Sequence, residues 1–148
     1  MTITKILCPV EFSPVSEHAV AYALGLARQL GARVHLIHAW QIPVYAFPDG
    51  AVIVGPDAVT RITQELTTSL DALVARWSDR EVAVEGHLVE GYPDREIKRM
   101  AQELEADLIV MGTHARTGLP HFLLGSVAER VVRTAGIPVL TVPSPDED

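Results

Sequence analysis

The sequence has little cysteine, few cations and no long apolar run, and each shortage excludes something. One cysteine, Cys8, stands among 148 residues, so no disulfide can form within the chain. No window is apolar over the roughly 18 residues that a membrane-spanning helix needs. The opening MTITKILCPVEFS lacks a charged region followed by an apolar run and a small-residue cleavage site. No secretory signal is read there, and a cytoplasmic location is expected. Lys and Arg number 12 against 19 Asp and Glu, a formal net charge of −7. A nucleic-acid partner, which needs clustered cations to neutralise phosphates, is not expected. A small anion is a different case, because local groups can outweigh the global balance.

Dedicated nucleotide-hydrolysing motifs are missing as well. The chain has neither G-x-x-x-x-G-K-[ST] nor G-x-G-x-x-G. Its 6 histidines show no ligand spacing along the chain, so no protein-held metal is expected. His35 and His87 read as strand-face residues and His38 as a core or rim residue at a strand end. Cys8 reads as a packing residue. No nucleophile–base–acid set can be assembled, and Ser13 is explained as a helix cap.

What is present is a regular alternation. The composition, 48% hydrophobic and 21% charged, fits one domain over residues 1–148 with a core of its own. KILCPV reads as a strand buried on both faces. Ser13 and Pro14 then open a helix whose Val20, Ala23, Leu24, Ala27 and Leu30 share one side and which stops at Gly31. RVHLIHAW is the second strand. Residues 41–56, rich in Pro and Gly and without a clean period, read as a long connection with room for local structure, of the kind that forms lids or partner surfaces. A helix over 57–77 follows, with Val59, Ile62, Leu66, Leu70, Leu73 and Trp77 on one stripe. EVAVEGHLVEG is the third strand, PDREIKRMAQELEA the third helix, DLIVMG the fourth strand, SVAERVVRTAG the last helix and IPVLTV the last strand. The short acidic tail SPDED reads as a frayed end.

This order predicts an α/β fold: a three-layer, doubly wound sheet of five parallel strands. KILCPV and DLIVMG are the most uniformly apolar strands and should be central neighbours, giving strand order 3-2-1-4-5. Ligands in such sheets bind beyond the carboxyl ends of the strands where the winding reverses. That rule brings together PVEFS, after the first strand, and MGTHARTGLPHFLLGSVAER, which begins at the end of the fourth. In the second loop Gly112 permits close backbone approach, and Gly125–Ser126 opens a helix whose free N–H groups favour an anion. Ser126 can add a hydroxyl and Arg116 a charge. His114 could reach a phosphate or face solvent. The same glycines could equally do no more than turn the chain and start the helix.

Along essentially its whole length the chain resembles the single-domain universal stress proteins. The likeness is carried by KILCPVEFSPVSEHAVAYALGLA, by EGYP and by ADLIVMGTHARTGL…LLGSVAERVVRTAGIPVLTV. The family pattern is Gly, two residues, Gly, nine residues, Gly, then Ser or Thr. Here it reads Gly112, Thr113-His114, Ala115, nine residues, Gly125-Ser126. The resemblance implies a Rossmann-like fold of the adenine nucleotide alpha-hydrolase type and a cytoplasmic stress-response protein, usually a homodimer, with ATP as ligand in many members. It implies that Pro9, Val10 and Ala39 enclose adenine, and that Glu11 takes the place of an Asp contacting the nucleoside. Met111 and Gly112 would pack on base and ribose, and Ala115, Gly125, Ser126 and Val127 would cradle phosphate. Any Mg²⁺ would come with the phosphates.

Two positions depart from the pattern. Glu11 is one methylene longer than Asp. Ala115 replaces the middle glycine, which costs about 1–2 kcal/mol if that residue is left-handed, roughly a tenfold loss of affinity. Two other readings stand beside nucleotide-binding regulation. One is slow ATP hydrolysis or self-phosphorylation on Ser126 or Thr113. The other is a dimeric interaction module that needs no nucleotide. The last strand, residues 137–142, is an expected sheet edge and the expected homodimer contact.

Overall fold

The structure is a computed structural model that describes residues 1–113 and 124–145. Its elements are β1 (Lys5–Pro9), α1 (Pro14–Leu30), β2 (Arg33–Trp40), β3 (Val44–Phe47), β4 (Gly50–Ile53), α2 (Pro56–Trp77), β5 (Val84–Glu90), α3 (Pro93–Glu103), β6 (Leu108–Gly112), α4 (Ser126–Thr134) and β7 (Val139–Val142). Five strands form one parallel sheet in the order β5-β2-β1-β6-β7. Numbered by their succession within that sheet, the order is the expected 3-2-1-4-5, with β1 beside β6.

Local chemistry explains the helix boundaries. Ser13 caps α1 with extended dihedrals, its hydroxyl accepting from the Ser16 N–H, and Pro14 occupies the first turn. Gly31 ends the helix at φ 67°, the left-handed conformation that glycine adopts without strain. The third helix stops at Glu103, short of the expected residue 106. The reversal is made by Glu105 at φ 52°, and the Ala106 N–H closes it on the Ala101 carbonyl at 2.9 Å. No glycine marks that stop, so the helical pattern runs on in the sequence.

Successive strand residues face opposite layers. Ile6, Cys8, Val34, Leu36 and Val110 join Ala19, Val20, Ala23 and Leu24 of α1 and Leu70 and Leu73 of α2. Leu7, Ile37, Ile109 and Met111 join Ile97, Met100 and Ala101 of α3 and Ala128 and Val131 of α4. Ile6, Leu7 and Cys8 are each fully buried, as a central strand covered on both sides requires. Burial pushes the Cys8 thiol up to about 12. The α2 stripe is inward throughout, deepest at Leu70 and Leu73 and half-buried at Val59, Ile62, Leu66 and Trp77.

The 41–56 connection carries local structure, a two-stranded hairpin. Val44–Phe47 and Gly50–Ile53 pair antiparallel, from Val44 opposite Ile53 to Phe47 opposite Gly50, and residues 48 and 49 make the turn. All eight strand residues are exposed. A Pro-Asp-Gly turn between apolar residues produces the hairpin. Neither face of the hairpin is buried, so no alternation marks its strands in the sequence.

Asp79 holds the turn between α2 and β5. Its carboxylate accepts from the backbone N–H groups of Glu81 and Val82, both at 2.8 Å, and from Arg28 of α1. The Arg28 hydrogen bond and the two N–H groups lower its pKa to about 2. A depressed carboxyl contributes stability above its unfolded pKa and loses it as pH falls through the folded value. Asp79→Asn should therefore lower the urea midpoint near neutral pH. The gap from the parent should narrow as the pH approaches 2, when measured by circular dichroism.

Candidate functional site

The winding reverses between β1 and β6, and a cleft of about 180 Å³ opens beyond their carboxyl ends. Its floor comes from Pro9 and Val10 on one side and Met111 and Gly112 on the other, with Ala39 of β2 adjoining. Glu11 lies two residues past the end of β1 and lines the cleft as well. Gly125, Ser126 and Val127 bring in the start of α4. Every expected site residue within the described part of the chain therefore lines one cleft. His114, Ala115 and Arg116 lie outside the described residues, as does the end of the acidic tail.

Hydrogen bonds shape the loop after β1. The Val10 N–H donates to the Ile37 carbonyl at 2.8 Å. The Glu11 and Ser13 N–H groups donate to the Ser16 hydroxyl at 3.3 and 3.2 Å. Ser16 itself is buried. His38 Nδ1 lies 2.8 Å from the Val10 carbonyl oxygen. A carbonyl only accepts, so that nitrogen carries the proton. The His38 ring also packs against Phe12 with centroids 4.6 Å apart, and Phe12 adopts φ 59°. A left-handed aromatic residue persists only where its surroundings hold it. His38 is thus a positioning residue for this loop, a role that a histidine at a strand end does not announce in sequence.

Thr113 and Gly125 are held together. The Thr113 N–H donates to the Val142 carbonyl at 3.1 Å, and the Gly125 N–H donates to the Thr113 carbonyl at 2.6 Å. The chain thus leaves β6 and re-enters α4 at the same place. Gly125 caps α4 without a side-chain hydrogen bond, so no side chain of the cap occupies the first-turn N–H groups. Glu129, in that turn, is paired with Arg133 at 2.8 Å. Among the described lining residues Glu11 supplies the formal charge.

Gly112 has a packing reason beside the expected close approach to a ligand. Its φ is not left-handed. A Cβ built there would sit 2.7 Å from Val15 Cγ1 and 3.3 Å from the Val15 carbonyl oxygen. The glycine lets the first turn of α1 press against the end of β6. Sequence reasoning did not assign Ser16, Ile37, Pro93, Ile97 and Ala128 to this cleft. The signal available was for Pro93 and Ile97: the rule that places ligands at strand ends also places the start of the adjacent helix there.

A family model for universal stress proteins matches residues 2–143. The chain belongs to the universal stress protein family. Universal stress protein MJ0531 of Methanocaldococcus jannaschii is 35% identical over 97% of this chain and 84% of its own length. Universal stress protein Mb2028c of Mycobacterium bovis is 35% identical over 91% of this chain, which spans only 44% of that longer relative. Among solved structures, a universal stress protein in complex with cAMP is 22% identical with a TM-score of 0.68, covering 98% of this chain and 100% of that one. A universal stress protein of Archaeoglobus fulgidus in complex with dAMP is 22% identical with a TM-score of 0.62, covering 95% and 98%. These structural likenesses establish the fold. Among the described residues, no helix of this universal stress protein is long and apolar enough to cross a membrane.

Gly112→Ala tests the close approach of α1. Overpacking of this kind costs about 1–3 kcal/mol, and the first turn of α1 would have to move away from β6. A lower thermal midpoint is expected, measured by circular dichroism, with altered amide shifts at Val15 and Ser16.

Proposed function

We propose that this universal stress protein binds an adenine nucleotide, ATP in the first instance, in the cleft between β1 and β6, and that binding serves regulation. One juxtaposition carries the reading: the uncapped start of α4 faces the same cleft as the apolar floor of Pro9, Val10, Ala39 and Met111. An apolar floor suits a purine face. Free N–H groups at a helix start suit phosphate oxygens. Glu11, an acceptor when ionised, suits a ribose hydroxyl or an amino group, and the Ser126 hydroxyl can donate to a phosphate. The relatives solved with cAMP and dAMP support adenine as the base.

The residues fit ATP without a protein-held metal. Mg²⁺, carried by the phosphates, would offset their charge in a cleft whose described lining offers no cation. His114 and Arg116, outside the described residues, belong to the same proposal as donors. Isothermal titration with MgATP should give saturable binding at one site per chain. Neither heat nor a thermal shift at millimolar nucleotide would overturn the reading. Ala115→Gly should tighten binding by up to about tenfold if residue 115 is left-handed. Unchanged affinity would show that the methyl group is tolerated.

The same reading includes a homodimer through β7. Among the described residues that strand pairs with β6 alone and closes one side of the sheet. A second copy placed edge to edge would satisfy its free backbone groups. Light scattering should report twice the chain mass at micromolar concentration, and a monomer mass would reject the dimer.

A further inference from the structure

Away from the cleft, β2 and β5 bring three metal-ligating side chains together. Parallel pairing sets His35 opposite Glu85 and Ile37 opposite His87. Gly86, between the two β5 residues, lies against Val74 and Leu70 of α2, so Glu85 and His87 face the other side of the sheet. There His35 Nδ1 lies 3.0 Å from His87 Nε2 and 3.5 Å from Glu85 Oε2. The three donor atoms all lie within 4.8 Å of one another.

We propose that His35, Glu85 and His87 form a binding site for a divalent transition-metal ion of the zinc type. Two ligands on a tetrahedral zinc, each about 2.0–2.1 Å from the ion, stand roughly 3.3–3.4 Å apart. The separations of 3.0 and 3.5 Å lie on either side of that value. Two imidazoles and one carboxylate select zinc, cobalt, nickel or copper over magnesium and calcium, which prefer oxygen alone. Three protein ligands leave a fourth position for water or another small ligand.

The proton balance is simple. Without metal, one ring N–H fills the space between Nδ1 and Nε2. Metal binding moves that proton to the outer nitrogen of the same ring, and both inner nitrogens then present lone pairs. Burial lowers the pKa of both imidazoles, which favours the neutral ligand form. Arg33 and Lys5 are cationic neighbours of His35 and oppose an added cation. Lys5 is engaged, however, by the Leu104 carbonyl at 2.9 Å and by Glu105 at 3.6 Å. Glu85 supplies the compensating negative charge, and its side chain is 56% exposed, which leaves a path for entry. The site escapes a sequence search because the histidines are 52 positions apart and share no motif. The expectation that the protein itself holds no metal was drawn from spacing along the chain.

The full chain, stripped with a chelator and free of nucleotide, would be titrated with Co²⁺ and then challenged with Zn²⁺. One equivalent of Co²⁺ should give the visible bands of a tetrahedral site, and Zn²⁺ should abolish them. Zn²⁺ should also raise the melting temperature, because the ion binds the folded state. His87→Gln should weaken binding by at least the roughly tenfold to hundredfold that outer-shell partners alone cost. Glu85→Gln, at a more exposed position, should weaken it in the same direction, and His18→Gln, at an exposed histidine of α1, should not. Circular dichroism checks that each variant is folded. Absence of a cobalt spectrum, or binding untouched by both His87→Gln and Glu85→Gln, would overturn the assignment. MgATP titration of the same variants reads the cleft separately, so failure here leaves the nucleotide reading standing.

Discussion

Burial of β1 on both faces is the constraint on which the other features depend. Ile6, Leu7 and Cys8 admit no solvent on either side, so no polar chemistry can sit along the strand. Hydrogen-bonding capacity is displaced to the strand ends, where the backbone leaves the ladder. At the carboxyl end the chain departs toward α1 on one face, while β6 departs toward α4 on the other. The cleft is what remains between those departures, and the glycine at 112 sets how closely its walls approach.

The same constraint explains how much of the molecule is legible in sequence. KILCPV and DLIVMG are apolar on both faces because they are central, so their neighbourhood could be inferred and the sheet order followed. Ser13, Pro14 and Gly31 mark α1 because each has a local conformational reason to be there. Glu105 marks the end of α3 with no such signature, since its left-handed backbone is imposed by the chain turning into β6. The β3–β4 hairpin was obscured for another reason. Its eight residues bury neither face, and hydrophobic alternation signals a strand only when one face is covered.

The cleft was legible to the extent that topology decides it. Pro9, Val10, Glu11, Ala39, Met111, Gly112, Gly125, Ser126 and Val127 meet because strand ends and a helix start must meet there. His38 was not legible as a positioning residue, because its hydrogen bond to Val10 depends on the register of β2 against β1. The grouping of His35, Glu85 and His87 depends likewise on the register of β2 against β5. Sequence can identify a strand face, but which residues stand opposite across two strands is a tertiary fact.

Cys8 gives the chain an internal gauge. Its sulfur is fully buried in the central strand and stays protonated far above physiological pH. The thiolate is the reactive form, so oxidants and alkylating reagents meet an inert group while the sheet is closed. Modification must wait for β1 to separate from its neighbours, an opening near the global end of the stability range. The single thiol therefore measures how often the whole sheet comes apart, without any introduced label.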